Sequence, residues 1–265
     1  MEIEIDYTKS AQDNANDYYS RAKKLQQKKE GAKRAVEELK KRLEKAMEES
    51  EQEEKPEERK AIRKEEKKWY EKFHWFIASN GMLVIGGRDA HQNEEVNAKY
   101  FDERDIFFHA NIFGADVVVL KEGKDAPHEV KEEAAQFAAC HSSAWKDGLH
   151  AIDVYAMRRE QVSKSQAKGT LGTGAFLLTG ERDWYRGMSL GLVMFTREGG
   201  LNCVPMATFY KIKEGEQIPR FVKIEIGKEK KSDAAKKIAK ALEYDDIDVI
   251  MQQLPAGSFK VTSSN

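Results

Sequence analysis

The chain has 265 residues, with 45 Lys+Arg against 46 Asp+Glu and a formal net charge of −1. Charged residues make up 34% and hydrophobic ones 40%, a high charge content for a single compact globule, and the near-zero balance excludes a uniformly basic nucleic-acid binder, so such binding would have to use a local patch. No apolar run reaches the ~18 residues that cross a bilayer, MEIEIDYTKS lacks a basic-then-apolar signal pattern, and Cys140 and Cys203 without a CxxC exclude a disulfide framework and a four-cysteine zinc site; a soluble cytoplasmic protein is expected.

Residues 1–72 hold 20 basic and 19 acidic side chains, so the first quarter reads as a solvated helical segment. Ile3, Ile5 and Tyr7 form an extended lead-in, and Thr8 and Ser10 are candidate helix N-caps. From Ala11 the apolar positions Ala15, Tyr18, Ala22, Leu25, Ala32, Val36, Leu39, Leu43 and Ala46 alternate spacings of four and three. Only Lys29 is polar in that register, which makes a heptad seam. Pro56 places a reversal near 51–57. Ile62, Glu66, Trp69, Phe73 and Phe76 then line one face of a second helix ending near Asn80-Gly81. Residues 1–79 are therefore expected to form an antiparallel coiled-coil hairpin.

Residues 80–265 read as a globular domain. Residues 82–87, 105–109 and 116–121 are apolar strands, with a short helix at 93–101 between the first two. Pro127 opens a helix carrying Val130, Ala134, Phe137, Ala138, His141 and Trp145 on one face, closed by Gly148. Further strands are expected at 152–158, 174–179, 188–195, 204–212 and 221–226, followed by two helices within 232–254 and a polar tail. Strands outnumber helices without regular alternation, so the class is α+β: a hairpin followed by a mixed β-sheet domain with packed helices.

Four places carry candidate chemistry. Gly86-Gly87-Arg88-Asp89 with His91, Gln92 and Asn93 follows a strand. It suits either an anion held by turn amides and Arg88, or a tight turn whose Asp89 or Asn93 caps the next helix. His109 lies near Asn111, Asp116 and Asp105, yet no histidine pair has metal-ligand spacing. His141-Ser142-Ser143 lacks the GxSxG elbow of a hydrolase and reads as a helix-terminal polar cluster, with Cys140 a small core residue. The segment 158–170 carries Arg158, Arg159, Gln161, Ser163, Lys164 and Lys168, and Arg182, Trp184, Tyr185 and Arg186 follow. Cations with hydroxyls suit phosphate contact, and rings beside arginines suit stacking on unpaired bases; a solvated loop is the plain alternative.

In this order, several groups of residues resemble the NFACT family, which includes nuclear export mediator factor and RqcH. These are Asp6 to Ala15 with Tyr18-Tyr19, Trp69 to Phe76, Gly86-Gly87-Arg88-Asp89 with Gln92-Asn93-Glu94, and Asp105-Ile106 with His109-Ala110. Gly114-Ala115, Ser142 to Trp145, Gln161 to Lys164, and Thr173-Gly174 with Phe176 continue the series. The likeness spans roughly residues 5–200, and His91 stands where many members have Gln. The resemblance implies a middle coiled coil and an RNA-binding R domain of archaeal type. It implies action on stalled large ribosomal subunits carrying peptidyl-tRNA, support for C-terminal tailing of the nascent chain, and contacts with subunit RNA, stalk-base proteins, tRNA and the family's N-terminal domain, which this sequence does not include.

The resulting expectation is a non-enzymatic, cofactor-free RNA- and ribosome-binding module. Arg88, His91, Gln92, Asn93, His109, Arg158, Arg159, Gln161, Ser163, Lys164, Lys168, Arg182 and Arg186 would form one polar face. Two competing readings are a metal-dependent RNA or nucleotide enzyme built on Asp89, His91 and His109, and a purely structural coiled-coil protein.

Overall fold

The computed structural model of the chain describes residues 6–52, 68–163, 165–166, 169–170 and 174–264. The chain divides into two units, Met1–Glu65 and Glu66–Asn265. In the first, helix α1 runs over Ala11–Gln52. Its start is fixed locally: Ser10 Oγ accepts the Asp13 amide (3.1 Å) and donates to the Asp13 carboxylate (2.6 Å), a capping arrangement. Asn14 reaches back to Asp6, accepting its amide at 2.9 Å and donating to its carbonyl at 3.0 Å. Leu25 and Val36 of the heptad seam are exposed. The reversal expected beyond Gln52, and the body of the second helix, lie outside the described residues.

The second unit begins with a correction. Residues 69–73 form turns and His74–Ile77 is strand β1, not the end of a helix. Trp69, Phe73 and Phe76 have helical spacing, but the HWFI run buries alternate residues as a strand does. Asn80-Gly81, with Gly81 at φ +89°, is the tight turn that folds β1 onto β2 (Leu83–Gly86) rather than a helix stop. Helix α2 (Ala90–Lys99), β3 (Ile106–Ala110) and β4 (Val118–Leu120) follow. The single helix expected from Pro127 to Gly148 is two, α3 (His128–Cys140) and α4 (Ser143–Lys146), the latter capped by Ser142. Strand β5 (Ala151–Arg158) leads to the short strands β6 (Val162–Ser163), β7 (Ser165–Gln166), β8 (Gly169–Thr170) and β9 (Leu177–Leu178). β10 (Asp183–Ser189), β11 (Leu192–Arg197) and β12 (Gly200–Pro205) complete this half.

Residues 206–215 form helix α5 (Met206–Gly215), where a strand over 204–212 was expected. Pro205 ends β12 and its fixed φ starts the helix. Strand β13 (Phe221–Glu229) and helices α6 (Lys231–Leu242) and α7 (Ile247–Gln253) match expectation. The anticipated polar tail is strand β14 (Phe259–Ser263), paired with β13.

The strands form a six-stranded sheet, β1-β2-β4-β3-β5-β10, and a four-stranded one, β12-β11-β13-β14, with two small ribbons, β6-β9 and β7-β8. Every described pairing is antiparallel, not mixed: the helical connections through α2 (β2 to β3) and through α3 and α4 (β4 to β5) each join two strands that flank a third strand antiparallel to both. The α+β class holds.

The apolar runs DIFFH and DVVVLK are explained by the central position of β3 and β4 in the six-stranded sheet, where both faces are buried. Ile106, Phe108, Val118, Leu120, Val154 and Ala156 face a large core that includes α3 and the second sheet. The alternating residues Phe107, Val119, Tyr155 and Met157 face a smaller apolar layer with Phe73, Val96 and Phe101.

Candidate nucleic-acid interface

The glycine pair after β2 is a packing device. A Cβ at Gly87 would sit 2.3 Å from Asn93 Oδ1 and 2.6 Å from its backbone nitrogen, so only glycine lets α2 approach. Asn93 is buried, and its Oδ1 accepts the Val117 amide at 2.9 Å. Asp89 caps α2 by accepting the Gln92 amide at 2.9 Å. Gln92 accepts the Arg88 amide at 3.1 Å and donates to the Lys72 carbonyl at 3.2 Å. Arg88 turns inward: Nη2 donates to the carbonyls of Phe73 (2.8 Å) and Glu71 (3.2 Å). Arg88, Gln92 and Asn93, expected as an RNA-facing set, are thus engaged with the backbone of their own fold, while His91 is exposed on α2.

The second cluster is different. β10 is the edge strand, and its Trp184 lies opposite Tyr155 of β5 with ring centroids 5.6 Å apart. The Arg186 guanidinium lies 4.1 Å over the Trp184 ring. Arg182 lies 5.9 Å from the Trp184 ring and 4.5 Å over Tyr155. Arg186 is oriented by Asp153 at 2.6 Å, and Asp153 also accepts the amide of Gly187 at 2.8 Å, where the strand bulges at φ +60°. The Gly187 amide, then Arg186, hold the Asp153 carboxyl below its ordinary range. Tyr155 carries this cluster inward, its hydroxyl 3.2 Å from His109 Nδ1. Burial lowers the His109 pKa and raises that of Tyr155, so both are neutral hydrogen-bonding groups at pH 7.

His109 and Tyr155, with Phe107, floor a cleft of about 520 Å³ on the smaller apolar face. Its walls are the Arg88–Asn93 turn and residues 174–178. Gly174 is held there by the Glu94 carboxylate at 2.9 Å, and a Cβ on it would meet Ala90 at 2.9 Å. Phe113 stands at the cleft with 98% of its surface exposed. Its turn is fixed, since Ser143 Oγ donates to the Phe113 carbonyl (2.7 Å), the Ser143 amide donates to Gly114 (3.1 Å), and Gly114 adopts φ +80°. A large bare ring on a pinned turn is an unusual exposure for a hydrophobic side chain.

The third expected cluster is a corner of the sheet. Arg158 is exposed, and its amide donates to Gln161 Oε1 at 2.8 Å. Gln161 donates in turn to the Glu181 carbonyl at 2.7 Å, tying the corner to the approach of β10. Arg159 donates to the Val162 carbonyl at 2.8 Å and lies 5.1 Å over Phe101. Ser163 is partly buried in β6. Lys164 and Lys168 lie outside the described residues. Arg88, Arg159 and Arg182, distant in sequence, therefore border one apolar layer, while the Gln161 side chain serves the turn.

Behind the cleft His74, Asp116 and His141 cluster, the one group of potential metal ligands among the described residues. His91 and His109, which the metal-enzyme reading invoked, are not in it. Burial brings the His74 pKa down to about 3, lowers that of His141 and raises that of Asp116, so His74 is uncharged at pH 7 and its 3.0 Å contact from Nδ1 to Asp116 Oδ2 is a hydrogen bond rather than an ion pair.

Sequence reasoning did not single out Phe113, Tyr155 or His74. An aromatic residue directly before a turn glycine, as in Phe113-Gly114, was the available signal for the first.

The first part of this antiparallel α+β domain matches a known domain type. The model of the NFACT protein RNA binding domain covers residues 72–180, from the turn before β1 to the turn before β10. Residues 72–180 thus match the RNA-binding domain of NFACT proteins, and the relatives that share this region include an archaeal one. The chain is 43% identical over 152 residues to the archaeal Rqc2 homolog aRqcH of Methanocaldococcus jannaschii, covering 55% of this chain and 22% of that protein. It is 40% identical over 119 residues to the ribosome quality control complex subunit NEMF homolog of Drosophila melanogaster, covering 44% of this chain and 12% of the relative. For human ribosome quality control complex subunit NEMF the identity is 39% over 119 residues, with 44% and 11% covered. The chain thus spans less than a quarter of the length of these relatives.

Proposed function

We propose that this chain is the RNA- and ribosome-binding part of a ribosome quality-control factor, acting by binding rather than by catalysis. Its RNA surface is the cleft on the smaller apolar face of the six-stranded sheet together with the Trp184 edge beside it, and its ligand is an unpaired stretch of RNA. Bases stack on Phe113 and Trp184, Arg182 and Arg158 meet the phosphates, and the neutral His109–Tyr155 pair offers hydrogen bonds at the floor of the cleft. In the wider assembly the ligand is large-subunit RNA or tRNA on a stalled subunit carrying peptidyl-tRNA, and binding supports C-terminal tailing of the nascent chain in the cytoplasm. Residues 1–65 are assigned to contacts with stalk-base proteins. The observation that carries this reading is the Trp184 and Tyr155 rings at an open sheet edge, with Arg186 over the first and Arg182 over the second, beside a cleft with a bare phenylalanine.

Stacking on an aromatic ring contributes about 1–3 kcal/mol per base, so Phe113→Ala and Trp184→Ala should each weaken binding of a labelled single-stranded RNA by roughly 5- to 150-fold. Anisotropy titrations check this, and unchanged affinity in both variants removes the stacking surface from the proposal. Arg182→Ala should reduce the slope of log K against log salt by about 0.7, as for one phosphate contact on a single strand. The same titrations at several salt concentrations measure it, and an unaltered slope would assign Arg182 to ring packing alone.

A further inference from the structure

We propose that His74, Asp116 and His141 form a binding site for a divalent transition-metal ion of zinc-like preference, set in the wall between the cleft and the main core. The proposal does not depend on the RNA-binding reading.

Three separate elements deliver the ligands. His74 is the first residue of β1, Asp116 lies just before β4, and His141 is the C-cap of α3. The Asp116 amide donates to the His141 carbonyl at 3.1 Å, which fixes two of the ligand-bearing segments to each other. The donor atoms lie within 4.8 Å of one another, and the two imidazole rings have centroids 4.1 Å apart. His74 Nδ1 and Asp116 Oδ2 are separated by 3.0 Å. Neighbouring ligands about 2.0–2.2 Å from one metal ion are roughly 3.0–3.4 Å apart, so that pair already has ligand spacing.

His141 supplies the second observation. It is 3% exposed, and both ring nitrogens are buried without a hydrogen-bond partner. A neutral imidazole has one donor and one acceptor, and leaving both unmade in a protein interior is costly. A metal ion satisfies the acceptor directly. Two imidazoles with one carboxylate are a recurring set for zinc and other first-row divalent ions that keep a coordination position open. Asp116 also lines the cleft, which gives an ion a route in from solvent.

Arg88 and Lys231 act on the same site electrostatically. Arg88 is anchored on the Phe73 and Glu71 carbonyls and Lys231 on the Leu254 carbonyl at 2.7 Å. Burial first, and then their positive charge, favours the neutral imidazole that ligates metals, and the Asp116 carboxylate is the ligand whose charge offsets that of a bound cation.

The test uses the full chain, stripped with chelator and titrated with Zn²⁺ or Co²⁺. The expected result is one equivalent retained after gel filtration by elemental analysis, a rise in melting temperature on zinc addition, and visible ligand-field bands with cobalt. Asp116→Asn and His141→Asn, close in size to the native side chains, should lose the bound equivalent and the bands, while His91→Ala on the surface keeps both. Should a variant misfold, the ring-nitrogen NMR signals of wild-type His74 and His141 must shift on zinc addition. Substoichiometric retention by the wild type, equal retention by Asp116→Asn, or unmoved ring signals would overturn the site.

Discussion

Asp105→Ala is expected to destabilise the sheet domain by about 3–5 kcal/mol, the range for removing one partner of a buried charged network. The Asp105 side chain is fully buried. Oδ2 accepts from Lys121 Nζ at 2.5 Å and from the Asp102 amide at 2.8 Å, while Oδ1 accepts the Glu122 amide at 2.8 Å. Glu122 sits in the left-handed region at φ +56°, so Asp105 also holds a turn that a non-glycine residue adopts reluctantly. Alanine strands two amides and leaves the partly buried Lys121 with Asp102 and the Tyr100 carbonyl. Asp105→Asn keeps acceptor capacity and should cost less. Urea unfolding midpoints at constant m-value decide this, and losses below about 1 kcal/mol in both variants would contradict the network's role.

Gly87→Ala is expected to cost about 3 kcal/mol or more, at the upper end of overpacking effects. The added carbon meets backbone atoms of Asn93 at 2.6 and 2.9 Å, which cannot move without shifting α2. That shift would break the Asn93–Val117 hydrogen bond and open the cleft wall. Loss of RNA affinity should therefore accompany the fall in urea midpoint. A Gly87→Ala protein as stable as the parent would show that α2 is free to slide.

These two positions also show how far the sequence could be read. Gly86-Gly87-Arg88-Asp89 and Asp105-Ile106 stood out as motifs, yet their polar atoms are turned onto the protein's own backbone. Spacing alone cannot tell a side chain that binds an anion from one that binds a nearby carbonyl, because the fold decides which lies closer. Long periodic elements were legible: α1 and α6 follow their apolar registers, and the apolar runs at 106–110 and 118–120 are strands. His74–Ile77 was not, since Trp69, Phe73 and Phe76 fit a helical stripe and an Asn-Gly pair such as Asn80-Gly81 suits a helix stop as well as a hairpin turn. β14 was hidden because its burial comes from pairing with β13, a partner about 35 residues away.

For the interface, the arginine and tryptophan of the 182–186 segment were visible as a cluster, and the structure explains their arrangement by the β5–β10 pairing. Phe113 and Tyr155 were invisible as site residues. One is marked only by its exposure, the other by the strand opposite it.

Ultraviolet cross-linking of the full chain to single-stranded RNA, with mass spectrometry of the nucleotide-bearing peptides, tests the central claim most directly. The account expects adducts on peptides containing Phe113, Tyr155 and Trp184, suppressed in Phe113→Ala and Trp184→Ala. Adducts confined to the four-stranded sheet or to α6, with the cleft peptides unmodified, would contradict it.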